Sequence, residues 1–433
     1  MPRAMVCTAI CLALEAMSVL AQAPRTIPRP PADAPGFPRP EDGSAAPDGY
    51  APLPQWLGQT RAPIPLKTVP YAVETFAQGI SGPFSFNPLP GGRWIVAERG
   101  GHIRLVGKDG NISEVAGLPS IMWARAGQGL FEVRPDKDFA ANRTVYLAFT
   151  VLPEGTNPAA PPRTPGVLTV ASAKLSADYS RLEDVKVLLN AEGTTGRLIQ
   201  ARDGTLLISS AVPGGVGLNS ADWPQPQQLD SDMGKILRIN PDGSIPQDNP
   251  FVGRPEARPE IYALGLRDVQ GVAIQPRTGR LWTSEHGPRG GDEINVVQKG
   301  KNYGFPVIGY GREYTGKPIN GDKTAQNGME QPVYFWTPDV APAGIAFYSG
   351  KLFQAWQSNL FVSELAGRCL ARLVLKGDRV IAEERLLTDM GSRIRDVNEG
   401  SDGALYVLTD GNPVPPGPTW DREGKILRLS PKQ

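Results

Sequence analysis

The sequence predicts an all-β protein, a six-bladed β-propeller, on three observations. The 433 residues include 49 glycines and 44 prolines, a density of punctuation that favours short strands and turns over long helices. A unit of apolar strand, polar turn and second apolar strand occurs six times. An isolated hairpin of this size is marginal in water, whereas radial stacking of such units into blades protects their sheet edges. The alternative architecture is a β-sandwich followed by a second domain.

Along the chain, the N-terminus comes first. Arg3 supplies a positive charge, Ala4 to Leu20 is mostly apolar though interrupted by Glu15, and Ala21-Gln22-Ala23 offers a small-x-small cleavage pattern. Residues 1–23 therefore read as a signal peptide, and the protein as exported to the periplasm. Cys7 and Cys11 lie inside this segment, so the mature chain would retain Cys369 alone and form no internal disulfide. No later stretch is long and apolar enough to span a bilayer as a helix. Residues 24–66, with "PRPPADAPGFPRPEDGSAAPDGYAPLP", are dense in Pro, Ala, Gly and Asp. Such a composition buries little apolar surface and reads as an extended linker or arm.

The propeller is expected over residues 67–433. Its six units are "FSFNPLPGGRWIVAE", "LFEVRPDKDFAANRTVYLAF", "GRLIQARDGTLLISS", "GVAIQPRTGRLWTSE", "GIAFYSGKLFQAWQSNLFVSE" and "IRDVNEGSDGALYVLTD". Further β-like pieces, "GGHIRLVGKDG", "GKILRINPDG" and "GKILRLSP", lie between and after them. The spacing is uneven, so insertions must sit between strands. With 45 Lys+Arg against 44 Asp+Glu the formal charge is +1, and no basic block is present, which argues against nucleic acid as a partner.

One stretch concentrates chemistry. "SEHGPRGGDEIN", Ser284 to Asn295, follows the apolar "GRLWTS" and so falls at a blade end, where propeller loops converge on the channel mouth. With "YALGLRDVQGVAIQP", "QPVYFWTPDVAPAGIAFY", "RIRDVNEGSDGALYVLTD" and "LDSDMGKILRINPDGSIPQDNPF", it resembles the soluble pyrroloquinoline-quinone (PQQ) dehydrogenases of the glucose/sorbosone family, most closely the aldose sugar dehydrogenase branch. The likeness covers most of the chain after about residue 75 and is most specific in the second half.

The resemblance implies an oxidoreductase that passes hydride from a sugar to PQQ, with calcium as second cofactor and a further electron acceptor as partner. PQQ carries three carboxylates, which guanidinium forks suit. Arg267, Arg393 and Arg395 match the family's anion-binding arginines, and 393 and 395 fall on one side of a strand. Gln270 matches a pocket glutamine, Trp336 and Thr337 match residues beside quinone and sugar, and Gln128 matches a substrate position. His286 stands where cofactor contact is expected, and the asparagine after Arg267 is replaced by Asp268. The carbonyls of Gly287 and Pro288 would hold one calcium, a hard ion that accepts backbone oxygens. Asp292, Glu293 and the Tyr303 carbonyl would hold a second.

The chain departs from the family at the general base. Aligned on Gly196-Arg197-Leu198, the histidine that takes the sugar's proton is Gly193, and its acidic partner is Val212. The chain has two histidines, His102 and His286, and His102 reads as a surface residue in a turn. The family's pocket lysine is Ala366. A positioned base contributes roughly 10² to 10⁴ in rate. Glu192 and Asp268 are the nearest spare carboxylates by sequence. Two other functions stay open: a non-catalytic propeller that binds PQQ and calcium, a sugar or a partner protein, and a calcium-dependent lactonase. The latter rests on fold alone, without a Ser-His-Asp arrangement or enough histidines for zinc.

Overall fold

The structure, a computed structural model, describes residues 52–121, 128–153, 166–212, 223–411 and 423–432. The proposed signal peptide, Cys7 and Cys11 lie outside them. Six four-stranded antiparallel sheets form the ring. Blade one comprises Pro83–Leu89, Arg93–Glu98, His102–Val106 and Ile112–Val115. Blade two comprises Leu130–Pro135, Thr144–Val151, Val167–Leu175 and Leu182–Ala191, with one helical turn, Phe139–Asn142, inside its first hairpin. Blade three is Leu198–Gln200, Leu206–Ser210, Lys235–Ile239 and Ile261–Leu264. Blade four is Val269–Ile274, Leu281–Glu285, Asp292–Val297 and Tyr334–Trp336. Blade five is Pro342–Phe347, Leu360–Glu364, Cys369–Lys376 and Arg379–Leu386. Blade six is Ile394–Glu399, Leu405–Thr409 and Glu423–Pro431. Each of the six sequence units is the first hairpin of one blade, and the three intervening pieces are the third strands of blades one, three and six.

The fourth strand of blade six comes from the other end of the chain. Tyr71–Ser81 pairs antiparallel with Glu423–Pro431, from Tyr71 opposite Pro431 to Ser81 opposite Glu423. This pairing closes the ring. No repeat announced it, because the strand is half-exposed along its length and lacks an adjacent partner in sequence.

The core is divided among the blade interfaces. Six clusters of buried side chains lie mainly between successive blades, such as Trp282 and Tyr334 with Phe347 and Val362 between blades four and five, or Phe86 and Trp94 with Tyr406 and Leu408 between blades six and one. Alternate residues of a strand face opposite neighbours. In blade three, Leu206 and Ile208 pack toward blade two and Leu207 toward blade four. Both faces are therefore buried, which explains why the second strands read as unbroken apolar runs rather than alternating patterns.

Polar side chains of the inner strands tie the blades across the channel. Arg197 of blade three, 1% exposed, places Nη2 3.1 Å from Asp396 of blade six and Nε 3.3 Å from Glu132 of blade two, and Nη1 donates to the Phe84 carbonyl of blade one. Asn87 donates to Glu132, and Asp396 accepts from the Phe86 N–H.

The last part of the proline-rich segment is docked on the ring. Gln59, Thr60, Arg61 and Ala62 are buried. The Gln59 carbonyl accepts from the Phe335 N–H, its amide donates to the Pro332 carbonyl, and Ala62 N–H donates to the Tyr334 hydroxyl. Trp56 lies under the Arg379 guanidinium. An arm starting at residue 24 thus includes at least one stretch that supplies hydrogen bonds to the outer edge of blade four.

Removing one member of a buried ion network strands the others without compensation, at roughly 3–5 kcal/mol. Arg197→Ala is expected to destabilise the protein by about that amount, read by denaturant unfolding monitored through tryptophan fluorescence.

Candidate active site

In an antiparallel hairpin the start of the first strand and the end of the second lie at the same end. Every blade therefore delivers two positions to one mouth of the channel: the residues entering its inner strand and those leaving its second strand. Gln128, Arg267, Asp268 and Arg393 are of the first kind; Arg99, Val212, His286 and Asp410 are of the second.

The three arginines expected to bind an anion converge. Arg267, Arg393 and Arg395 come from blades four and six, yet all act on the imidazole of His286. Burial, opposed by Asp268 and reinforced by these cations, pushes that imidazole down to about 4. Arg267 Nη1 donates to the carbonyls of His286 at 2.9 Å and Gly287 at 3.0 Å. Arg393 and Arg395 share Asp410, at 3.5 and 3.0 Å.

A fourth guanidinium, Arg99, went unread in the sequence. It leaves the second strand of blade one and lies over the Phe84 ring at 4.9 Å, with Arg395 over the same ring at 5.0 Å. Burial, with Arg395 and Arg393 nearby, lowers it to about 9. Its sequence signal was positional: Arg99 ends "IVAER" in the first unit, equivalent to His286 in the fourth. Four guanidiniums thus gather at the mouth. Buried donors without a partner here include Arg99 Nε, Arg395 Nε and, depending on its tautomer, His286 Nε2.

Below this cluster lies a small cavity lined by Glu285, Glu293, Gly287, Pro288 and Tyr303. Glu285 and Glu293 are directly opposed on neighbouring strands. Burial raises Glu285 to about 7, and burial together with Glu285 raises Glu293 well above the carboxylate range. Asn295 donates to both. Glu285 was absent from the sequence-derived set, because its chemistry depends on the facing strand.

Several expected contacts are placed elsewhere. Asp292 and Glu293 are consecutive in a strand and point to opposite faces. The Asp292 carboxylate accepts from the N–H groups of Gly287, Val340 and Ala341 and does not line the cavity. Trp336 sits in the outermost strand of blade four, about 14 Å from the inner strand at ~4.8 Å per strand. There it is core, its indole N–H donating to Glu383. The Thr337 hydroxyl donates to the Tyr310 carbonyl and accepts from the Gly291 N–H, so it pins the glycine turn. Asp339, two residues on, reaches that turn through the Gly290 N–H. Gln128 is fully buried at the entry to blade two, and Gln270 donates to Asp268 at 2.6 Å. Tyr303 is anchored through its hydroxyl to the Val296 carbonyl. His102 is exposed beside Glu114, and Cys369 is buried with its thiol donating to Glu364. Ala366 is an exposed turn residue.

Gly193, where the resemblance placed the base, has φ +118, and a Cβ there would overlap Ser210 Oγ and the Ala211 carbonyl. Val212 is buried, and its N–H donates to the Arg267 carbonyl at 3.0 Å.

The raised carboxyls set a pH dependence. A group whose folded value lies above its unfolded one stabilises the fold below the unfolded value and loses that contribution as pH rises through the folded one. The melting temperature of the metal-free protein is expected to fall between about pH 4.5 and pH 7, where Glu285 titrates. Glu285→Gln should flatten the slope, and calcium should restore the loss at pH 7 or above, all read by differential scanning calorimetry.

Comparison with known proteins fits this geometry. The glucose/sorbosone dehydrogenase family profile matches residues 80–415. Aldose sugar dehydrogenase YliI of Escherichia coli is 36% identical over 373 residues, covering 83% of this chain and 93% of that protein. The solved apo-form of the soluble aldose sugar dehydrogenase from Escherichia coli superposes with a TM-score of 0.72 at 34% identity, over 84% of this chain and all of the other. The PQQ-bound aldose sugar dehydrogenase of Streptomyces coelicolor gives a TM-score of 0.64 at 26% identity, over 84% and 99% of the two chains. This chain, with its six blades and its ring of mouth arginines, belongs to the glucose/sorbosone dehydrogenase family.

Proposed function

We propose that the protein is a PQQ- and calcium-dependent sugar dehydrogenase that oxidises an aldose at its anomeric carbon. The observation that carries this reading is the convergence of four guanidiniums at the mouth with buried donors left unpaired. Arg99, Arg267, Arg393 and Arg395 converge there, and donors on Arg99 and Arg395 are buried without a partner. A flat quinone with three carboxylates would supply acceptors to those donors. The solved PQQ-bound relative supports the same ligand class.

The residues present fit the quinone. Arg393 and Arg395 would hold one carboxylate edge, Arg99 a second, and Arg267 a third group beside Gly287. The Phe84 ring beneath Arg99 and Arg395 excludes water and strengthens both ion contacts. For a divalent cation, the opposed carboxylates of Glu285 and Glu293 beside the Tyr303 carbonyl are a hard-oxygen set. Those of Gly287 and Pro288 line the same cavity, but Gly287 O already accepts from Arg267, so a cation bound there would take that guanidinium's place. When bound, the quinone supplies the hydride acceptor and calcium the Lewis acidity. The chain's part is to bind, orient and dehydrate, with Gln128 directed at the sugar. An export signal places this chemistry in the periplasm, with an electron acceptor that reoxidises the cofactor. Among the described residues no helix is long and apolar enough to cross a membrane.

A second reading, quinone binding without turnover, is favoured by the backbone at Gly193, which has no room for the family's histidine.

Titration with PQQ and calcium followed by quinone reduction on adding aldose separates the two. A ligand selective for the folded state raises the melting temperature. Loss of one charged hydrogen-bond donor costs about 1.5–3 kcal/mol, so Arg395→Ala and Arg99→Ala are each expected to weaken PQQ binding roughly 10- to 100-fold by fluorescence quenching. Wild-type affinity in both variants would remove the arginine clamp, and with it the proposed function.

A further inference from the structure

The sugar-oxidising reading above leaves the proton without an acceptor, and the inference here rests on that reading. We propose that Asp268 is the catalytic base, moved one blade round the ring from the position at which the family carries its histidine.

Blade three cannot supply the group. Gly193 occupies a positive-φ conformation in which any Cβ meets Ser210 and the Ala211 carbonyl, and Val212 is apolar and buried. Of the two spare carboxylates, Glu192 is turned outward. It is bonded to Arg258 at 2.5 Å and to the Ser231 hydroxyl at 2.6 Å, with its side chain 42% exposed. Asp268 is turned inward, 16% exposed, within electrostatic reach of His286 and, across the mouth, of Arg99. It also stands next to the vacated site, because the Val212 N–H donates to the carbonyl of the residue before it, Arg267.

The other mouth carboxylates are engaged. Asp410 bridges Arg393 and Arg395, Asp339 accepts from the Gly290 N–H, and Glu285 accepts from the Arg267 N–H and Asn295. Among the described residues Asp268 has no such guanidinium partner in its hydrogen bonds and ion pairs. Gln270 donates to Oδ1 at 2.6 Å and fixes the carboxylate plane, and Oδ2 lies 3.7 Å from His286 Nδ1, beyond a hydrogen bond. Among the described residues one oxygen is therefore held while the other has no hydrogen bond and can accept from a hydroxyl. Gln270 and His286 are positioning residues in this arrangement.

Oxidation of a lactol to its lactone removes a proton from the anomeric oxygen and a hydride, with its electron pair, from the anomeric carbon. The Asp268 carboxylate would take the proton, and a bound quinone would supply the acceptor for the hydride. The carboxylic acid then returns its proton through solvent to the reduced cofactor, so lactol plus quinone gives lactone plus quinol.

The test uses the full-length protein with PQQ and calcium, and Asp268→Asn, Asp268→Ala and Glu192→Gln. Asp268→Asn is expected to keep wild-type PQQ affinity by fluorescence quenching and to keep its melting temperature, while kcat falls roughly 10²- to 10⁴-fold with little change in KM. Added formate or acetate should restore part of the turnover of Asp268→Ala, which a structural role would not produce, and Glu192→Gln should behave as wild type. Near-wild-type kcat in Asp268→Asn overturns the assignment, as does loss of PQQ affinity in that variant or absence of rescue in Asp268→Ala. A wild-type protein that binds PQQ and reduces none of it with any aldose also overturns the base while leaving quinone binding intact. A wild-type protein that binds no PQQ overturns the sugar-oxidising reading itself.

Discussion

The ring exists because its two ends are sewn into one sheet. Tyr71–Ser81 completes the blade begun by Ile394–Glu399 and Leu405–Thr409, and everything functional depends on that closure. Arg99 belongs to blade one, Arg267 to blade four, Arg393 and Arg395 to blade six. Without the pairing of first strand to last, blades six and one would expose the apolar face now shared by Phe86, Trp94, Tyr406 and Leu408, and Arg99 would lose the Arg395 neighbour that defines the mouth. Arg197 reinforces the same constraint from inside, since one guanidinium contacts three other blades.

Closure also explains why the mouth can hold so much like charge. Four guanidiniums gathered at one mouth, two of them over the Phe84 ring, are unfavourable alone, as the depressed Arg99 value indicates. Packing at six blade interfaces holds them in place regardless. Interface burial thus offsets an electrostatic penalty that a polyanionic ligand would relieve, the usual relation between a stable scaffold and a pre-organised binding site. The opposed Glu285 and Glu293 repeat the pattern with the opposite sign one layer below, where a cation is the complementary species.

Blade-level features were readable because they are local. Each hairpin carried its own turn and its own apolar runs, so six units sufficed to count the blades. Arg267, Arg393, Arg395, His286 and Asp268 were readable because they sit in motif stretches at blade ends. Arg99 was missed because one arginine after a strand carries no local distinction; Phe84 and Arg395, remote in sequence, give it meaning. Trp336 packs in the core because its strand is the outermost of blade four, which a motif match does not reveal. Asp292 was misplaced because adjacent residues of a strand cannot face one cavity. The docked Gln59–Ala62 was hidden in a composition that resembles a tether.

The amino-acid sequence by itself determined the number of blades, the order of strands within each first hairpin, the near-neutral charge and the scarcity of histidine, all properties of short stretches or of composition. Only the tertiary structure decided which charges meet, which carboxylate turns inward and which arm residues are buried. Those depend on the closing of a ring, which brings residues hundreds of positions apart within hydrogen-bond distance and leaves no trace in local periodicity.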